Sequence, residues 1–165
     1  MSGMIIVTGE SRGLGLAIAR KILDEMDYSV VGLSRSETEA LRTYGNKYHH
    51  IKCDLSRPES IKELYHEELK KRGPIVGLVN NSAIAYDDII TNMDLTKLRE
   101  MYEVNVFSAI ALTKIAIRDM IGNTTKGSIV NITSVCAHTG YKGLSMYAPT
   151  KGALESFSRT VAREW

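Results

Sequence analysis

Short apolar runs alternate along this chain with longer stretches in which apolar residues recur every three or four positions. "MIIVT", Met4 to Thr8, has the length and the β-branched content of a buried strand, and Leu14, Ile18, Ile22 and Met26 after it are spaced for a helix face. "YSVVGLS" (28–34) and "YHHIKCD" (48–54) predict a second and a third strand, separated by a short polar helix near 37–44. Between Pro58 and Lys71 the residues Ile61, Leu64, Tyr65 and Leu69 share one helical face, and "IVGLVN" (75–80) predicts a fourth strand. Leu98, Met101, Tyr102, Val106, Ala109, Thr113, Ala116 and Met120 keep the three-four spacing of one buried stripe, predicting a long helix over 94–121. "GSIVNIT" (127–133) predicts a fifth strand, and a last helix begins near Tyr147.

Strands that are apolar on both faces and separated by helices predict a parallel sheet covered on both sides. The fold class is therefore α/β, a doubly wound parallel sheet of Rossmann-like type, in a single domain over residues 1–165. The helix pattern is still in force at Trp165, without a glycine or proline stop, so the sheet is read as C-terminally incomplete. Its fifth strand is expected at or near an edge, left by a fragment or covered by another chain.

Composition narrows the function classes. Of the 165 residues 44% are hydrophobic and 24% charged, ordinary for a globular domain, and the net charge of +2 is too small and too scattered for a nucleic-acid binder. Membrane-spanning and export segments are not expected from the sequence, which makes the protein cytoplasmic in this reading. Cys53 and Cys136 are isolated thiols, and His49, His50, His66 and His138 form no ligand pattern, so no metal is expected.

In doubly wound sheets ligands bind beyond the carboxyl ends of the strands. The first strand leads into "TGESRGLG", Thr8 to Gly15, whose glycines are spaced G-x-x-x-G-x-G. Gly9 allows a sharp turn, Gly13 lets backbone approach a pyrophosphate, and Gly15 permits close packing of helix on strand, with backbone N–H groups and the helix dipole favouring the anion. An Asp or Glu at the end of the second strand would hold the ribose hydroxyls of NAD; here Ser34 and Arg35 stand instead. Arg35, with Arg12 from the glycine loop, could clamp the 2′-phosphate of NADP, or both could be exposed solubilising residues. Asp54 could meet an adenine amine, or it and Asn80 could be turn and capping residues. Farther on, "MYAPTKGALESF" sets Tyr147 and Lys151 at i and i+4 on one helix, an ammonium close enough to ease a phenol down from its usual pKa near 10.

"TGESRGLG", "NNSA", Asn105 in "YEVNVFSA", Ser134 in "NITSV" and "YAPTK" occur in the order found in the short-chain dehydrogenase/reductase family, which the whole chain resembles. The stretch from Asn80 to Lys114 is similar to the 3-oxoacyl-[acyl-carrier-protein] reductases of that family, which implies fatty-acid synthesis chemistry. The resemblance implies an NADPH-dependent reduction of a carbonyl, with Tyr147 as general acid, Lys151 at the nicotinamide ribose, Ser134 on the carbonyl oxygen and Asn105 placing a water that relays protons to the lysine. The implied cofactor contacts are Gly9, Ser11, Arg12, Gly13, Leu14 and Gly15, then Ser34, Arg35, Asp54 and Leu55, then Asn81, Ser82 and Ala83, with Tyr147 and Lys151. It further implies a homo-oligomer, dimer or tetramer, through the two long helices. His138 and Cys136 are read as plain loop residues, and Met146 and Tyr141 as candidates for an apolar entrance. Two departures stand out: Ser82 and Ala83 replace the usual Ala-Gly, and the segments that follow the last helix in the family are not in this sequence. An alternative to turnover is therefore a dinucleotide-binding domain that reacts only when completed by other chains.

Overall fold

The computed structural model describes residues 3–165. Its strands β1 (Met4–Thr8), β2 (Ser29–Ser34), β3 (Tyr48–Lys52), β4 (Ile75–Asn80) and β5 (Ser128–Asn131) form one sheet, parallel throughout, in the order β3-β2-β1-β4-β5. The order reverses beside β1, which makes the C-terminal end of β1 the switch point where a doubly wound sheet opens a crevice. Every residue of β1 and β2 is buried, as the continuous apolar runs require.

Helices α1 (Gly13–Glu25) and α2 (Glu39–Arg42) belong with one face of the sheet, where Val7, Ala19, Leu23, Val30 and Leu41 form a core cluster. The other face carries α3 (Ile61–Leu64), which continues through a π-helical turn at Tyr65–Leu69, and the long pair α4 (Leu95–Tyr102) and α5 (Ser108–Gly122), joined by a π-helical turn at Glu103–Phe107. There Ile6, Leu33, Leu78, Leu112 and Ala116 meet in the second cluster. The helix α6 (Tyr147–Glu164) completes the described fold. Asp94 starts α4 by accepting from Thr96 N and Lys97 N, the usual way to satisfy first-turn donors.

The strands and long helices fall where the pattern put them, with ends displaced by a residue or two. The face of α1 is different. Leu14 and Met26 are exposed, and the buried positions are Gly15, Ala19 and Leu23, one place round the helix, because the small Gly15 and Ala19 let the helix lie directly on the sheet. β5 does stand at an edge, and Val130 on it is 47% exposed. No helix among the described residues is long and apolar enough to cross a membrane, and no cluster of His, Cys, Asp or Glu there could hold a metal ion.

Candidate active site

The glycine loop turns as its spacing requires. Gly9 (φ +70°) and Gly13 (φ +57°) both take left-handed backbone. A Cβ at Gly13 would meet nothing within 4 Å, so this position faces open space, whereas one at Gly15 would lie 2.3 Å from the Gly9 carbonyl oxygen. Gly15 thus sets the contact between α1 and the loop. The first turn of α1 has no side-chain cap, leaving its N–H groups directed at that open space.

Thr8 fastens this loop to the end of β4. Its hydroxyl accepts from Asn81 N and Ser82 N, both at 2.9 Å, and Asn81 Nδ2 donates to the Thr8 carbonyl at 2.9 Å. The two strand ends bound a cleft of about 480 Å³. Gly9, Ser11, Arg12 and Gly13 line it from the loop, Ser34 and Arg35 from the end of β2, Asp54 and Leu55 from beyond β3, and Asn81, Ser82 and Ala83 from beyond β4. Those expected cofactor residues therefore share one surface. Leu14 and Gly15 do not line it: Leu14 points to solvent and Gly15 is buried beneath the loop. The methyl of Ala83 is accommodated without left-handed backbone, since Thr124 is the non-glycine residue that has it.

Arg12 and Arg35 are exposed on the cleft, and neither makes an ion pair among the described residues. Asp54 forms a turn, accepting from Ser56 N at 3.0 Å and Ser56 Oγ at 2.9 Å. Those bonds hold its carboxyl below the ordinary carboxylate range, with Arg35 and Arg57 adding to the effect. Asn80 is neither a cap nor a turn residue. It is 5% exposed, and its Nδ2 donates to Asn131 Oδ1 at 2.8 Å, tying β4 to β5.

The second group of expected residues lies past the segment 81–88. Asn105, 2% exposed in the π-helical turn, accepts from Ile84 N at 2.9 Å and donates to the Ile84 carbonyl at 2.9 Å and Thr150 Oγ1 at 3.1 Å. It pins Ile84, a cleft residue, against α6. On the first turn of α6, the Tyr147 phenol has the Ser134 hydroxyl as a neighbour that favours its ionised form. Lys151, one turn on and 2% exposed, donates to the Ile132 carbonyl at 2.9 Å. Tyr147, Ser134, Lys151 and Asn105 thus cluster around the start of α6, although none of them lines the cleft itself.

The electrostatics correct one expectation. Tyr147 is not eased downward by Lys151. Burial pushes the phenol up, Cys136 and Asp87 add to the rise, and Ser134 is the neighbour that lowers it. The physical reason is aim: the ammonium is engaged with Ile132 and lies 5.8 Å from the centre of the Tyr147 ring. Burial pushes Lys151 itself down. In the loop after Ser134, His138 Nε2 lies 3.0 Å from a carboxylate oxygen of Glu155 on α6, and Cys136 is a neighbour of the Tyr147 phenol. Met146 is buried and Tyr141 exposed.

Ile84, Glu100, Val104 and Cys53 line the cleft without having been anticipated. Ile84 directly continues "NNSA" and was within reach of that motif; Glu100 and Val104 arrive from a helix distant in sequence and carried no signal.

A family model described as short chain dehydrogenase matches residues 3–165. Carbonyl reductase family member 4 of Xenopus tropicalis is 32% identical over 99% of this chain and 70% of its own length. The 3-oxoacyl-[acyl-carrier-protein] reductase of Buchnera aphidicola is 34% identical over 96% of this chain and 65% of its own. Among solved structures, a short-chain dehydrogenase from Streptomyces avermitilis superposes with a TM-score of 0.89 at 32% identity, covering 99% of this chain and 60% of that one. A metagenomic short-chain oxidoreductase in complex with NADP gives 0.88 at 26%, covering 99% and 76%. The chain belongs to the short chain dehydrogenase family, whose members are oxidoreductases that bind a nicotinamide cofactor. It spans 60% to 70% of the length of the Xenopus, Buchnera and Streptomyces proteins.

Proposed function

We propose that this chain is an NADPH-dependent carbonyl reductase, with a 3-oxoacyl thioester as the candidate substrate class. The observation that carries the reading is the Tyr147 phenol with the Ser134 hydroxyl as its neighbour and the buried Lys151 ammonium 5.8 Å from its ring, one helical turn on. The cleft suits a dinucleotide. Open space at Gly13, uncapped N–H groups on α1 and two guanidinium groups without ion-pair partners among the described residues are what a pyrophosphate and a 2′-phosphate require. Gly9, Ser11, Arg12 and Gly13 would hold the pyrophosphate, Ser34 and Arg35 the 2′ end, Asp54 and Leu55 the adenine, and Asn81, Ser82 and Ala83 the far ribose.

Reduced nicotinamide, when bound, supplies the hydride. The chain's own residues handle the proton. With its pKa above the ordinary value, Tyr147 keeps its proton at neutrality, which suits a donor to a carbonyl oxygen that is gaining charge. Ser134 donates to the same oxygen and stabilises that charge. Lys151, made a weaker base by burial, parts with a proton more readily and can restore the one Tyr147 gives up. Asn105 is a positioning residue here, because its amide is engaged by Ile84 and Thr150.

The test is consumption of nicotinamide absorbance when purified protein is mixed with NADPH and an acetoacetyl thioester. Tyr147→Phe should lower kcat/KM by about 10²- to 10⁴-fold; a variant as active as the parent refutes the mechanism. The bare edge of β5 favours a second reading, in which the domain binds nucleotide and turns over only when that edge is covered. NADPH raising the melting temperature of a protein that reduces no carbonyl would select it, and native mass would show whether copies of this chain, dimer or tetramer, provide the cover. Residence in the cytoplasm goes with either reading.

A further inference from the structure

One residue of the glycine loop has chemistry that this reaction does not use. Glu10 is 0% exposed, a rare state for a carboxylate. Its space is provided by Gly32 of β2, where a Cβ would lie 2.3 Å from Glu10 Cδ. Three side chains converge on one of its oxygens, Oε1: Ser34 Oγ at 3.0 Å, Tyr48 OH at 3.1 Å and His50 Nδ1 at 3.0 Å. The Ser34 and Tyr48 hydroxyls both donate to this oxygen, and the His50 ring nitrogen lies within hydrogen-bond distance of it. Its other oxygen, Oε2, is buried without a hydrogen-bond partner among the described residues. A purely structural role would be filled at lower cost by an apolar side chain, so the carboxylate needs another explanation.

Ser34 connects it to the cleft. This serine lines the cleft beside Arg35 while its hydroxyl faces two acceptors, Glu10 Oε1 in the interior at 3.0 Å and, at 2.9 Å, the carbonyl of Ser36, itself an exposed residue of the cleft. A hydroxyl has a single hydrogen. With that hydrogen drawn inward, Ser34 Oγ offers only lone pairs to a ligand. A ribose 2′-hydroxyl can donate to it; a 2′-phosphate, itself all acceptors, cannot.

We propose that Glu10 is a specificity-determining positioning residue: by drawing the Ser34 proton inward it makes Ser34 an acceptor toward the cleft, favouring a 2′-hydroxyl against the 2′-phosphate that Arg12 and Arg35 attract. The inference rests on the reading of the cleft as a dinucleotide site. It means that the two ends of the cleft wall work against each other, and that the chain binds both NADPH and NADH with a narrower preference than its arginines alone would set.

The experiment is a fluorescence titration of NADPH and of NADH into the parent chain, Glu10→Gln, Ser34→Ala and the double variant. Glu10→Gln should raise the ratio Kd(NADH)/Kd(NADPH) roughly threefold to tenfold, the effect of one polar contact changing sign. In the Ser34→Ala background the same substitution should change the ratio little, because the hydroxyl that transmits it is gone. Structural damage would instead weaken both nucleotides together. A ratio that stays or falls in Glu10→Gln, or an equal effect with and without Ser34, overturns the proposal. If Glu10→Gln does not fold, Ser34→Ala alone decides: it should raise the ratio, and a ratio that stays or falls counts as refutation. A parent chain that binds neither nucleotide sinks the cleft's reading as a dinucleotide site, and this inference with it; binding of both with an unmoved ratio sinks only the inference.

Discussion

Two glycines in one loop should fail in opposite ways. A Cβ at Gly15 would sit 2.3 Å from the Gly9 carbonyl oxygen and 2.6 Å from Asn81 Nδ2. Neither can give way cheaply, because one is backbone and the other is bonded to the Thr8 carbonyl. The loop and α1 must separate by about an ångström, an overpacking that costs about 3 kcal/mol. For a chain of this size that lowers the melting temperature by about 6 to 12 °C. At Gly13 the added methyl meets nothing, and the penalty is the left-handed backbone at φ +57°, about 1 to 2 kcal/mol and so about 2 to 8 °C. Binding should rank the two the other way. The methyl of Gly13→Ala projects into the open space in front of α1, where the pyrophosphate is proposed to lie, and should abolish most of the thermal shift that NADPH gives the parent. The assay is a pair of melting curves, without and with NADPH, for the parent and both variants. Gly15→Ala melting with the parent would refute the packing argument. Gly13→Ala retaining the full NADPH shift would refute the placement of the phosphates.

The base of the sheet offers a second test. Asp119, 4% exposed on α5, accepts from Ile75 N at 2.8 Å and from the Tyr65 hydroxyl at 2.7 Å. Asp119→Ala strands both donors and should cost about 3 kcal/mol in urea unfolding, while Asp119→Asn keeps one acceptor and should cost about 1; equal losses would count against the hydrogen-bond account. A third concerns alkaline pH. Burial pushes the Cys53 thiol from 9.0 to about 11. The unfolded chain therefore releases this proton first, and stability that is complete below pH 9 is lost as pH rises through 11, about 2 to 3 kcal/mol from this group. Cys53→Ala should be less stable than the parent at pH 8 and lose that deficit by pH 10.5; a constant gap at the two pH values would show that the thiol is not held protonated.

What was legible in the sequence was whatever depends on local periodicity or on short spacing. The buried strands announced themselves because β1 and β2 lie between two helix layers, so that nothing in their runs is polar until the ends. The glycine loop was legible because backbone at Gly9 and Gly13 has a conformation that few other residues adopt. Pairwise electrostatics were not legible. The i, i+4 spacing of Tyr147 and Lys151 does set them on one face, yet it says nothing of the Ile132 carbonyl that takes the ammonium, nor of Cys136 and Ser134, which reach the phenol from a different element. Glu10 shows the same limit more sharply. In a glycine loop a glutamate reads as an exposed polar residue, and only the sheet order, which brings Ser34 from β2 and Tyr48 and His50 from β3 around it, turns it into a buried acid behind the cleft. The sequence did contain one trace of this, the glycine in the middle of "VVGLS", where a strand between two helix layers has no local reason for one. Gly32 is explained by the carboxylate it admits, and so the departure from pattern in β2 and the departure in the glycine loop are one feature of the fold seen twice.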